Sequence, residues 1–140
     1  MKQITSSNFL IFIFLLLFAP QLLAADLPWQ DMKDFPPGAK VEVISGDPAQ
    51  TGAFTLRMKL PPNYIVPAHS HRCSSKATVI SGVYYIGTGN VADGNIGKPF
   101  SAGNSFVIPA NNKHYGWTKK GAVLQIEATG PWDIDYAANG

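Results

Sequence analysis

Charge is scarce in this chain: only 14% of its 140 residues are Asp, Glu, Lys or Arg, and the formal net charge is +2. With neither a basic nor an acidic surplus, no long-range field draws a polyelectrolyte to the surface, so no nucleic acid is expected as a partner. Cysteine is scarcer still. Cys73 stands alone, so no disulfide can close within the chain and the fold must be held by an apolar core. Glutamate is limited to Glu42 and Glu127, and histidine to His69, His71 and His114. Few positions are therefore available for proton transfer near neutral pH. Sustained helical periodicity, internal repeats and low-complexity tracts are absent as well.

One long hydrophobic run is present. Phe9 to Ala19 is unbroken, and Lys2 is the only charged residue before Asp26. The run is well short of the ~20 residues that a membrane-spanning helix needs. A short polar start, the helix-breaking Pro20, and the small residues Ala24 and Ala25 ahead of the charged sequence match a cleaved signal peptide over residues 1–25. Leu22 or Leu23 at the minus-three position is less favourable than a small residue, which leaves an uncleaved anchor as the alternative. No cysteine stands at the end of the leader to carry a lipid. The expected mature protein is periplasmic or secreted, without a membrane segment, and is long enough for one domain with one core.

The rest reads as all-β. Phe54, Leu56, Met58 and Leu60 alternate with Thr55, Arg57 and Lys59, placing apolar side chains on one face of a strand. Further strands are expected at Val41 to Ile44, Tyr64 to His71, Ala77 to Ile86, Ser105 to Ile108, His114 to Thr118 and Ala122 to Thr129. Turn-forming clusters such as Pro61-Pro62-Asn63 and Pro109-Ala110-Asn111-Asn112 separate them. Strands at this spacing build a sandwich or barrel, here over residues 41–140, with residues 26–40 an irregular arm laid over it. Phe54, Leu56, Met58, Val79, Val107, Leu124 and Ile126 are the expected barrel lining. Tyr84, Tyr85, Phe100, Phe106, Tyr115 and Trp117 read as core or subunit contact before they read as a ligand platform.

His69 and His71 form His-Ser-His on an expected strand, where the two-residue period sends both rings to one face. Two such imidazoles can hold one metal ion when the strand faces a cavity, and a third from another strand completes the set. Taken alone, the pattern is equally that of exposed or core histidines.

The spacing around these histidines resembles that of the cupin superfamily. The first cupin motif, G-x5-H-x-H-x3-E-x6-G, falls on Asn63, His69, His71, Ser75 and Gly82. The second, G-x5-P-x-G-x2-H-x3-N, falls on Gly103, Pro109, Asn111, His114 and Thr118. Asn63 and Asn111 replace glycines, and asparagine is the side-chain-bearing residue that best tolerates a left-handed turn. Ser75 stands where the family has a glutamate ligand. Gly82-Val83-Tyr84-Tyr85, Trp117 and the segment Gly130 to Tyr136 are also similar to those of small exported single-domain cupins of unassigned function.

The resemblance implies a double-stranded β-helix, a jelly-roll-like barrel, with His69, His71 and His114 as ligands of a divalent ion: iron, zinc, manganese or nickel. It implies a small-molecule ligand or substrate and, by family habit, a homodimer. Three neutral imidazoles would leave the ion its full charge and open positions, suited to a metal-dependent, oxygenase-type enzyme. The alternative is a non-catalytic metal- or ligand-binding or sensing module with a degenerate site. Ser75 is a candidate for holding a metal-bound water. Cys73, two residues beyond His71, is a candidate ligand or redox-sensitive thiol, or else a small core residue. Lys76 and Arg72 read as solvated charges.

Overall fold

The alternation of Phe54, Leu56, Met58 and Leu60 with polar residues needs a partner surface on one side only, and the chain supplies it by curling a sheet upon itself. The computed structural model of the protein describes residues 28–138. Those four side chains are each no more than 4% exposed and lie at the centre of the core. Among the described residues there are ten strands: β1 (Gln30–Asp31), β2 (Lys40–Ser45), β3 (Gly52–Leu60), β4 (Tyr64–Ser70), β5 (Ser75–Thr88), β6 (Lys98–Ser101), β7 (Ser105–Ile108), β8 (His114–Thr118), β9 (Ala122–Gly130) and β10 (Asp135–Tyr136). No helix occurs among them. The signal peptide expected over residues 1–25 lies outside the described residues.

The sheet runs β1-β2-β3-β9-β5-β8-β4-β10, with β6 and β7 each paired to β5. Strand β5 belongs to both walls of the barrel. Its first part, Ser75 to Gly82, pairs with β7 and β9, whereas Val83 to Thr88 pairs with β6 and β8. The strand changes wall at Gly82, whose φ is +79°. A Cβ there would lie 2.2 Å from the carbonyl oxygen of Gly121, so only glycine fits both the backbone conformation and the space. Ala77 and Val79 before this corner, with Leu124 and Ile126 from β9 and Val66 from β4, close the core.

Seven of the strands coincide with the apolar segments of the sequence to within a few residues. Val107 departs from expectation: it is 67% exposed and faces outward. The register of β7 turns Phe106 and Ile108 inward instead, where Phe106 packs on the core. Strands β6 and β10 and the short β1 have no alternating pattern of their own and form by pairing with longer neighbours. Within the arm, β1 extends the sheet, and Met32 and Phe35 enter the core.

Gly82→Ala is expected to cost roughly 3 kcal/mol or more, since it combines a positive φ with overlap against backbone. Thermal unfolding should show the midpoint lowered by about 10 °C or more.

Candidate metal centre

Tyr64 and Val66 point into the core, so an uninterrupted β4 would send His69 out to solvent. The strand is interrupted. Val66 lies opposite Gly116 but His69 opposite His114, so three steps along β4 match two along β8, which is a β-bulge. Pro67 lies in the bulge, where its missing N–H costs the ladder nothing. The extra residue reverses the inward parity of the strand. His69 turns in, and His71, two residues on and just past the strand end, follows it. The partner His114 opens β8 after the Pro109–Asn112 turn, which docks through Asn111 N–H on the carbonyl of His71 at 2.7 Å.

The three rings meet with centroid separations of 4.3 Å for His69 and His114, 4.8 Å for His69 and His71, and 5.4 Å for His71 and His114. Each residue is 3% exposed. In each ring Nδ1–H donates to a backbone carbonyl: His69 to Pro67 at 2.7 Å, His114 to Asn112 at 2.9 Å, and His71 to Asp133. One proton per ring is thereby committed to Nδ1, and Nε2 keeps its lone pair for the centre. The candidate ligand atoms all lie within 4.8 Å of one another.

Electrostatics keeps the rings neutral. Burial lowers all three histidine pKa values, bringing His69 down to about 3 against the pull of its Pro67 hydrogen bond and with help from the facing His114 and His71. A metal ion would therefore have no proton to displace at neutral pH. The rings border a cavity of about 30 Å3, the room of one water or ion. Ser75, 4% exposed, lines it, as do Phe35 and Trp132. Among the described residues no acidic side chain does.

Residues 131–136 strap across this end of the barrel. Trp132 stacks on His71 at 4.8 Å, and Asp133 holds His71 with its carbonyl while its carboxylate accepts from Arg72 N at 2.9 Å and Nε at 2.7 Å. Phe35, from the N-terminal arm, meets His69 edge-on at 5.6 Å, and Tyr136 O–H donates to the carbonyl of Asp34, tying arm and strap together. The buried indole Nε1 of Trp132 has no hydrogen-bond partner among the described residues. Three neutral nitrogens converging beside an unpartnered buried donor fit a divalent cation carrying an oxygen-donor ligand.

Of the candidate residues, the structure brings His69, His71, His114 and Ser75 to this cavity. Cys73 is half-buried in the bend after His71, outside the histidine group and the cavity lining, and burial followed by the nearby Asp133 raises its pKa. Lys76 faces outward toward Glu127 at 3.7 Å, and Arg72 pairs with Asp133. Sequence reasoning missed Phe35, Trp132 and Asp133. A carbonyl that orients a ring 62 residues away leaves no local signal.

In sequence the chain matches no protein-family model and no curated protein. In three dimensions it is similar to an RmlC-like cupin from Shewanella frigidimarina, with 17% identity and a TM-score of 0.62 over 76% of this chain and 86% of that one. The polyketide cyclase RemF from Streptomyces resistomycificus matches at 13% identity and a TM-score of 0.64, covering 82% of each chain. KdgF from a Halomonas species matches at 17% identity and a TM-score of 0.57, over 74% of this chain and 86% of that one. The chain has the cupin fold.

At the cupin motif positions, Asn63, Gly82, Gly103 and Asn111 all have positive φ, of +58°, +79°, +88° and +60°. The two asparagines thus keep the left-handed backbone that glycine supplies elsewhere in the cupin pattern.

The histidines also set an acid limit on the metal-free protein. Their folded pKa values lie below the ordinary 6.5, so between those values the unfolded chain binds protons that the native state refuses. Their contribution is intact above about pH 6.5, is lost as the pH falls, and for His69 levels off below about pH 3. Urea unfolding of the chelator-treated protein should show a midpoint that declines from pH 7.5 to pH 4. His69→Gln should flatten that decline.

Proposed function

We propose that this cupin is an exported protein that binds one divalent ion through His69, His71 and His114 and acts on a small molecule as an oxygenase-type enzyme. The observation that carries the reading is the convergence of three buried, neutral imidazoles, each held by a backbone carbonyl on its outer nitrogen. When bound, iron, zinc, manganese or nickel would supply Lewis acidity and open positions for oxygen donors. The chain's own residues do the rest. Ser75 and Trp132, which line the cavity, bring an O–H and an N–H as hydrogen-bond donors for a bound oxygen atom, and Phe35 and Trp132 keep bulk water from it.

A second reading is a non-catalytic binding or sensing module. It is favoured by Ser75 at the carboxylate position and by a cavity lining without a general base. Dioxygen uptake by the ferrous protein over a panel of diketones, phenolics and thiols separates the two. Uptake above the protein-free rate supports the enzyme; its absence with every compound supports the binder.

Metal analysis of the purified protein is expected to give about one ion per chain, as a single three-nitrogen site requires. His69→Ala and His114→Ala should each abolish it, and Ser75→Glu should tighten it by adding a carboxylate ligand. Occupancy unaffected by either histidine variant would refute the site.

Export rests on the leader. Expressed in a Gram-negative host, the protein should be recovered from the periplasm or medium with Asp26 as its first residue. Recovery in the cytoplasm with Met1 intact would refute export.

A further inference from the structure

The cavity at the histidines is too small for a substrate, and arm and strap cover its end, yet a much larger cleft adjoins it through the side of the barrel. This cleft, about 630 Å3, opens between β6 and β7, a size ordinary for small-molecule sites. Pairing of Tyr84 with Phe100 and of Ile86 with Lys98 puts these four side chains on the face of β5 and β6 that looks toward β7. Ile86, Phe100, Phe106, Ile108 and Tyr115 form apolar walls, and His114 lies at the inner end. Phe106, Ile108 and His114 border both the cleft and the histidine cavity, so they are the shared wall between the two.

The charge in the cleft has one sign. Lys98 is exposed at its rim, 5.3 Å from the centre of the Phe100 ring, and among the described residues it enters no ion pair. Among the described residues no acidic side chain lines the cleft. An apolar trough with an uncompensated ammonium at its rim and His114 at its inner end selects against cations and favours an anion with a flat apolar body.

We propose that the β6–β7 cleft is the ligand-entry groove of this site and takes small amphipathic carboxylates, the apolar body lying on Phe100, Phe106 and Ile108 and the charged group drawn by Lys98. The inference rests on the metal-centre reading for the identity of the inner site, and the groove can be tested separately from it.

The probes are cinnamate and its uncharged counterpart cinnamyl alcohol, titrated calorimetrically into zinc-loaded and zinc-free protein. Cinnamate is expected to bind once per chain and more tightly than the alcohol in both forms. Lys98→Ala should weaken cinnamate by about fivefold, the scale of a partly exposed charge contact, while leaving the alcohol within about twofold; Lys98→Arg should restore it. Ile96→Trp, which crowds the rim from the loop before β6, should weaken both probes with zinc uptake unchanged. Equal affinity for the two probes, or insensitivity of both to Ile96→Trp, would overturn the groove. Saturable zinc uptake without cinnamate binding overturns the groove and leaves the metal centre. Selective cinnamate binding without zinc uptake overturns the metal centre and supports the groove.

Discussion

Three imidazoles can share a dry barrel end only if none of them is charged, and a neutral imidazole has one proton to place. Here each places it on a backbone carbonyl, so three lone pairs are aimed inward by the fold's own main chain. Much of the surrounding structure meets that requirement. The bulge at Pro67 turns His69 inward and supplies its carbonyl, the Pro109–Asn112 turn supplies that of His114, and the strap supplies that of His71. Side-chain partners would have brought carboxylates into the cavity and drawn protons onto the rings. Backbone partners orient the rings without adding charge.

The fold was legible where it depends on alternation. β3, β5, β7, β8 and β9 bury or pair apolar segments, and their limits in the sequence fall within two residues of their limits in space. The failures have a common cause. Val107 looked like lining because it is a β-branched residue in an apolar run, but the register of β7, set by its pairing with β5, turns its neighbours inward. β6 and β10 carry no pattern because a strand held by a longer partner needs none.

The candidate site was legible in its three histidines and in Ser75, not in what surrounds them. His-Ser-His and a distant third histidine can be read from the spacing, but the parity reversal that turns them inward cannot, because one extra residue in a strand leaves the local alternation intact on either side. Pro67 was the available clue, since a proline inside an apolar strand marks an edge or a bulge. The segment holding Trp132 and Asp133 stood out only by resemblance, which gave neither residue a role. Asp133 contributes a carbonyl oxygen, which any residue could supply in this backbone geometry, and Trp132 a stacked ring, which needs an aromatic.

The placement of Asp133 makes His71 the one imidazole whose orientation depends on distant chain. The Asp133 carbonyl lies 62 residues from the ring it orients, whereas His69 and His114 are held by carbonyls only two residues away. Two rings are thus oriented locally and the third only when residues 131–136 are in place. A local opening of that segment would release His71 alone and leave the other two rings hydrogen-bonded.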